Sequence, residues 1–390
     1  MKDIFETLKE LETKIDPLKG YELVSLENAN KRILAEDIRA LRASPSFDNS
    51  ALDGYAFSYA DKNEALSVKE TIFAGDKRSL TLGKNEAFKI MTGAMIPKNA
   101  DTILPLEDEK FQDEKLLINA DIKQFNAIRL RGEEFKEGEI LFKKAECLNP
   151  AKIALLASQG IYKIKLAKRL NIGIFSSGNE LYEPWQHADE FSIYNANAQA
   201  LNALLSSENV SYLGIIKDEF ELVKQGFEDN QFNLLISSGG ASVGEADFME
   251  KALLELGFGA VFRGVKAKFV KPTKLYKKGE KLVLLCPGNP MSAFLSCFIF
   301  ARKLLNLLRG NFSEGLKFKA ILKDDLKLKS GRNNLILGNL QDNFFIPFNE
   351  GKYSSAMLTP LAQSAFLFIS DKEINEYKAG DEISIFYLNA

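Results

Sequence analysis

Leu234-Leu235-Ile236-Ser237-Ser238-Gly239-Gly240-Ala241-Ser242-Val243-Gly244-Glu245-Ala246-Asp247 decides the fold. An apolar run beginning at Phe232 is short enough for a buried strand. It breaks into a polar glycine turn and gives way to helical periodicity near Ala246. Strand, turn and helix make the first half of a βα crossover. Glycines let backbone N–H groups approach an anion, so Ser237, Ser238, Gly239, Gly240 and Gly244 form a candidate phosphate cradle at the positive end of that helix. Asp247 is compatible with capping the helix, binding an amine-rich heterocycle, holding a metal, or simply occupying the first turn.

Outward from this stretch the pattern repeats. Asn171 to Phe175 runs into Ser176-Ser177-Gly178-Asn179-Glu180, Leu282 to Leu285 runs into Pro287-Gly288-Asn289-Pro290, and Tyr212 to Ile216 reads as a further strand. Helical patterns lie between them at about 195 to 208, 219 to 228, 246 to 256 and 290 to 309. Repeated βα units predict a doubly wound α/β domain with an open parallel sheet, whose ligands bind beyond the carboxyl ends of the strands. The three polar turns fall at those ends. Glu180 is there either a metal or hydroxyl ligand or a solvent-facing carboxylate. In Val265-Lys266-Ala267-Lys268-Phe269-Val270-Lys271-Pro272-Thr273-Lys274, alternation would put Lys266 and Lys268 on one face of a strand. The lysines are then either oxyanion ligands or a solvated edge that blocks aggregation.

Both flanks read differently. Ile4, Phe5, Leu8, Leu11 and Ile15 recur at helical spacing behind a capping-box start at Asp3 and Glu6, and residues 21 to 41 predict a second short helix. Pro45 opens Ser46-Phe47-Asp48-Asn49-Ser50-Ala51-Leu52-Asp53-Gly54-Tyr55-Ala56, a turn rich enough in carboxylate, hydroxyl and amide to grip a ligand. Short strand runs follow, so 45 to 136 reads as a small β-rich domain that also carries Arg129 and Arg131. A helix is predicted over Pro150 to Gly160, and β runs return after Gly310. The fold class is α/β and β multidomain.

A chain of 390 residues has room for two to four such units. Its net charge of −2 gives little drive toward nucleic acid. No apolar run approaches the roughly 20 residues that span a bilayer, and the first residues enter an acidic amphipathic helix rather than a signal-peptide core. The expected location is cytoplasmic, with no membrane and no nucleic-acid partner. Cys147, Cys286 and Cys297 lack paired metal spacing and read as reduced core residues. His187, the only histidine, sits in a polar loop run, which excludes multi-histidine zinc sites. No GxxxxGK[ST] phosphate loop occurs. Any catalytic metal is therefore hard and oxygen-bound. If Asp53, Glu134, Glu180 and Asp247 converge on a phosphate-bearing ligand, Mg²⁺ bridging carboxylate to phosphate offsets their repulsion.

Six segments, taken in order, resemble the molybdopterin molybdenumtransferase family, which includes the MoeA proteins and the C-terminal domain of gephyrin. They are Phe47 through Ala56, Met91-Thr92-Gly93-Ala94, Arg131-Gly132-Glu133-Glu134, Ser177-Gly178-Asn179-Glu180-Leu181, Ser237 through Asp247, and Pro287-Gly288-Asn289-Pro290. The resemblance covers almost the whole chain. It implies insertion of molybdate into adenylylated molybdopterin with Mg²⁺-dependent release of AMP, in an elongated homodimer whose site is shared between subunits.

By that resemblance Asp53, Thr92, Glu134, Glu180, Asp247, Lys268 and Lys271 form the catalytic set, with Glu180 and Asp247 as metal ligands. Ser237, Ser238, Gly239, Gly240, Gly244, Pro287, Gly288, Asn289 and Pro290 bind the pterin substrate. Four domains are implied: 1–44 with 137–168, elongated; 45–136, small and β-rich; 169–312, MogA-like α/β; and 313–390, β-barrel-like. The implied partners are the adenylyltransferase that supplies the pterin and the apo-molybdoenzymes that receive the product. Three segments depart from the family pattern. Lys-Pro-Gly-Lys-Pro reads Lys268-Phe269-Val270-Lys271-Pro272, Thr-Gly-Asp-Glu reads Ser177-Gly178-Asn179-Glu180, and the glycine before Arg32 is Lys31. A non-catalytic pterin-binding scaffold, a molybdopterin adenylyltransferase, and tungstate in place of molybdate are the alternatives.

Overall fold

Strand Leu234–Ser238 lies inside a six-stranded sheet in the order Asn209–Ile216, Asn171–Ser177, Leu234–Ser238, Lys281–Cys286, Lys274–Lys278, Gly259–Arg263. In this computed structural model, which describes residues 1–217, 219–228, 231–239, 246–312 and 317–388, the sheet belongs to a unit of Met1–Glu22 with Ala167–Ala390. Leu23–Leu166 forms a second unit.

The central strand is apolar throughout because both its faces are covered. Leu234 and Ile236 join Ile172, Ile174 and Leu284 on one side, while Leu235 joins Phe175, Phe227 and Val283 on the other. Its neighbours Asn171–Ser177 and Lys281–Cys286 run parallel to it, and Asn209–Ile216 is parallel to Asn171–Ser177. The last two strands are antiparallel, which corrects the all-parallel expectation. The cause is local: Lys278 pairs with Lys281 across Gly279-Glu280, and Gly279 takes φ +58, so a tight hairpin replaces a crossover. The lysine segment is also not a strand. Residues 264–273 form turns, with Ala267 making a single bridge to Asn333.

Pro290–Ser296, a π-helical turn at Cys297–Ala301 and Arg302–Leu308 form one helical rod. Against the sequence expectation, this 19-residue stretch is long and apolar enough to cross a membrane, yet 78% of its apolar window is buried inside the protein. It is a core helix. Cys286 and Cys297 are buried as expected, whereas Cys147 is exposed because its neighbour Leu148 takes the core position.

The helix Ile4–Lys14 starts at the expected capping box, with Glu6 N donating to Asp3 Oδ1 at 2.8 Å and Asp3 N donating to Glu6 Oε2 at 3.0 Å. Ile4, Leu11 and Ile15 enter the sheet's larger core cluster. Ile4 N donates to Asn333 Oδ1 at 2.8 Å, and Lys266 N donates to the Lys2 carbonyl at 2.7 Å. Strands Lys317–Leu322, Phe344–Pro347, Leu335–Gln341, Phe366–Ile369 and Glu382–Tyr387 close into a barrel around Leu322, Ile336, Phe345 and Ile385.

In the second unit a six-stranded sheet includes Thr102–Pro105, Gly54–Phe57, Glu86–Ile90 and Leu66–Ile72. Alternation sends Tyr55 and Phe57 to one face and Ala56 to the other. The helix predicted over 21 to 41 is absent. Glu22–Ser25 pairs with Lys163–Leu166, Leu26–Asn28 makes one 3₁₀ turn, and Ile38–Arg39 pairs with Ile140–Phe142. Lys31 at φ +62 interrupts any helix there, and long-range pairing takes the backbone groups. The helix Pro150–Ser158 forms as predicted, with the Asn149 side chain accepting from Lys152 N at 2.9 Å.

Candidate functional site

Three polar turns lie at the carboxyl ends of the parallel strands, and one amide ties two of them together. Asn197, in the first turn of helix Ala196–Leu204, donates from Nδ2 to Ser238 Oγ and to the Gly288 carbonyl, each at 2.7 Å. Ser237 and Ser238 are buried, and Ser237 Oγ donates to the Gly239 carbonyl at 2.9 Å. Gly239 takes φ +107, and a Cβ there would sit 2.3 Å from the Ser177 carbonyl oxygen. Only glycine fits. Gly288 faces it at ordinary van der Waals distance, since a Cβ on it would lie 3.6 Å from the Gly239 Cα. Asn289 donates from Nδ2 to Ser355 Oγ at 3.1 Å, and Met291 N donates to the Ser355 carbonyl at 3.0 Å, so the Pro287-Gly288-Asn289-Pro290 turn is fixed to the barrel.

Glu180 is exposed beside this cluster. Gly240 and Gly244 lie outside the described residues, as does the side chain of Asp247, whose backbone is in helix Ala246–Glu255. Among the described residues no three His, Cys, Asp or Glu side chains gather as a metal site. His187 is exposed in a loop.

Lys268 and Lys271 part company: Lys271 is exposed, and Lys268 is half-buried. The Lys268 ammonium lies 4.6 Å from the Phe269 ring centroid and 5.6 Å from that of Tyr353. These rings stack at 5.8 Å with 16° between their planes. Burial, and then the charge of neighbouring Arg332, hold the Lys268 ammonium below the ordinary lysine value. Arg332 Nε is itself buried without a hydrogen-bond partner. Phe269 takes φ +70, which a proline, fixed near −65°, cannot adopt, so this loop departs in shape from Lys-Pro-Gly-Lys-Pro as well as in sequence.

In the second unit the structure brings Asp53 and Thr92 together. Asp53 Oδ1 accepts from Thr92 N and from Thr92 Oγ1, both at 2.7 Å. The Thr92 N–H, then its hydroxyl, and more weakly the Lys89 charge hold the Asp53 carboxyl below the usual aspartate value. Next to it a Cβ on Gly54, the first residue of strand Gly54–Phe57, would lie 2.0 Å from the Leu104 carbonyl oxygen, so this strand start too requires glycine. Glu134 accepts from Ser44 Oγ at 2.7 Å, and Asp48 accepts from Arg131 N at 2.7 Å.

Comparison with known proteins fits this arrangement. A family profile described as the MoeA N-terminal region (domain I and II) matches residues 3–160, and one described as a probable molybdopterin binding domain matches residues 173–306. The molybdopterin molybdenumtransferase of Haemophilus influenzae is 32% identical over 377 residues, covering 93% of each chain. That of a Nostoc species is 30% identical, over 95% of this chain and 89% of its own. The chain belongs to the molybdopterin molybdenumtransferase family. A crystal structure of the molybdopterin biosynthesis MoeA protein from Pyrococcus horikoshii superimposes with a TM-score of 0.85 at 27% identity, over 99% of both chains.

The family's enzymes are transferases of molybdenum cofactor biosynthesis. In this member, sequence reasoning missed Asn197, Arg332 and Ser355. Asn195-Ala196-Asn197 resembles an ordinary helix start, and Gly331-Arg332-Asn333 an ordinary turn. Only the distant residues each lies against distinguish them.

Proposed function

We propose that this chain inserts molybdate into adenylylated molybdopterin and releases AMP. One observation carries the reading: the Lys268 backbone bonds to Asn333, next to Arg332, whose charge acts on the half-buried Lys268 ammonium, and Arg332 Nε is buried without a partner. Two adjacent partly buried cations call for an anion, and a tetrahedral dianion matches their charge. The hydroxyl- and amide-lined turns at Ser237–Gly239 and Gly288–Asn289 suit the pterin and phosphate groups.

A Mg²⁺ ion would be shared between protein and substrate. Glu180 and Asp247 would supply hard carboxylate oxygens and the substrate's phosphates the rest, in keeping with a cation that rarely sits in an all-protein cage. Bound there, it would offset charge on the departing phosphate. Asp53, Thr92 and Glu134 would complete the site from the other subunit of a homodimer. The working domain scheme is 1–44 with 137–168, 45–136, 169–312 and 313–390. An adenylyltransferase would supply the pterin and apo-molybdoenzymes would take the product, in the cytoplasm.

Incubating the purified protein with adenylylated molybdopterin, Mg²⁺ and either molybdate or tungstate tests this. Metal-dependent AMP release with formation of metal-bound pterin is expected. Pterin binding without AMP release would favour a scaffold, and ATP consumption an adenylyltransferase.

A further inference from the structure

The aromatic pair beside Lys268 has no counterpart in the chemistry proposed above. Phe269 holds φ +70, a conformation that bulky side chains rarely adopt, and by doing so its ring reaches Tyr353. Tyr353 is itself immobilised. Its hydroxyl accepts from Leu337 N at 2.6 Å, and its ring meets Phe348 edge-on at 6.2 Å. The Lys268 backbone is pinned as well, donating to the Asn333 carbonyl at 2.9 Å. A flexible four-carbon side chain is thus held over two stacked faces, where ring quadrupoles attract the ammonium and water is partly excluded.

We propose that Phe269 and Tyr353 are positioning residues that hold the Lys268 ammonium beside Arg332, so that the pair selects a tetrahedral dianion over a monoanion of the same shape. The inference rests on the oxyanion reading of this site. Its physical basis is Coulomb's law. Attraction to a dianion is twice that to a monoanion, and the difference grows as the local dielectric falls. Removing a ring readmits water and frees the lysine, so both attractions weaken and the difference between them narrows.

Calorimetric titration of the full chain with molybdate and with perrhenate, a singly charged tetrahedral oxyanion, tests this. The wild-type protein should bind molybdate at least about tenfold more tightly than perrhenate, in line with an added 1.4 kcal/mol of attraction. Phe269→Asn keeps a residue that tolerates positive φ but removes the ring, and should bring the two affinities within about threefold. Phe269→Tyr should restore most of the discrimination. KM for molybdate should rise in Phe269→Asn with kcat little changed. Matching near-ultraviolet circular dichroism and thermal transitions would establish that the variants are folded. If the wild type binds neither anion, the oxyanion reading fails and this proposal with it. If the wild type prefers molybdate and folded Phe269→Asn keeps that preference, the rings play no positioning role and only this proposal falls.

Discussion

Asp53 and Lys268 each carry a charge in a polar turn, but Asp53 is fixed by the N–H and hydroxyl of Thr92, whereas Lys268 is fixed by two aromatic rings. Hydrogen bonds to the carboxylate stabilise the charged form of Asp53, while burial and a like charge disfavour that of Lys268. The first arrangement is written in short motifs, Asp53-Gly54 and Met91-Thr92-Gly93-Ala94, that advertise turn chemistry. The second depends on Tyr353 and Arg332, far along the chain and unremarkable in their own segments. A charge secured by a turn is legible; one secured by packing is not.

The largest effect should come from forcing a side chain into the strand start beside Asp53. Gly54→Ala brings Cβ against the Leu104 carbonyl and should cost about 3 kcal/mol in chemical denaturation of the second unit. A milder result would show that the strand start can yield, weakening the contrast with the lysine loop.

Next comes assembly. If Asp53 and Asp247 serve one site from different subunits, Asp53→Ala and Asp247→Ala should each be nearly inactive in AMP release. Mixing them should restore up to about half of the activity per heterodimer. Subunit exchange without recovery would place each site within a single chain.

Smaller still is the effect of Thr92→Val. It removes the hydroxyl and leaves the more influential N–H, so the Asp53 carboxyl should rise part of the way toward its ordinary value in a carboxyl NMR titration. The sign for stability follows. A depressed folded pKa contributes stability above the unfolded pKa that is lost as pH falls through the folded value, so the variant's acid sensitivity in that interval should shrink.

The smallest change separates two residues with similar backbones. Lys31 at φ +62 and Phe269 at φ +70 both sit where glycine is most at ease. Lys31→Gly should raise stability by about 1 kcal/mol with unaltered AMP release, because no ring contact depends on that residue. Equal loss of activity at both positions would deny Phe269 any special part.

Much of the fold was legible because its signals were local. The strand-to-turn break at Ile236-Ser237, the capping box at Asp3 and Glu6, and the helix after Asn149 all rest on neighbours within a few residues. The stretch from 21 to 41 was not, since its apolar spacing suits a helix while its backbone pairs with residues more than a hundred positions away. The antiparallel edge was missed although Gly279-Glu280 marks a hairpin. At the site, the Ser237–Gly239 turn could be anticipated, and Asp53 and Thr92 were singled out by resemblance, but the hydrogen bonds between them came only from the structure. Asn197 and Ser355 could not be anticipated, because each is defined by what it reaches across the fold.

Asn333 joins three stretches that leave the ribosome at very different times. Its side chain receives Ile4 N and donates to the Ser370 carbonyl, its backbone exchanges hydrogen bonds with Lys266 and Lys268, and Lys266 in turn reaches Lys2. Asn197, Ser238 and Gly288 have all emerged by residue 290 or so, but the Asn289 turn waits for Ser355, and the lysine loop has nothing to close against until residues 333 and 353 follow. During synthesis the link from Asn197 to Ser238 and Gly288 can therefore precede the lysine loop, and a nascent chain stalled between them would carry those turns without the ring-held lysine.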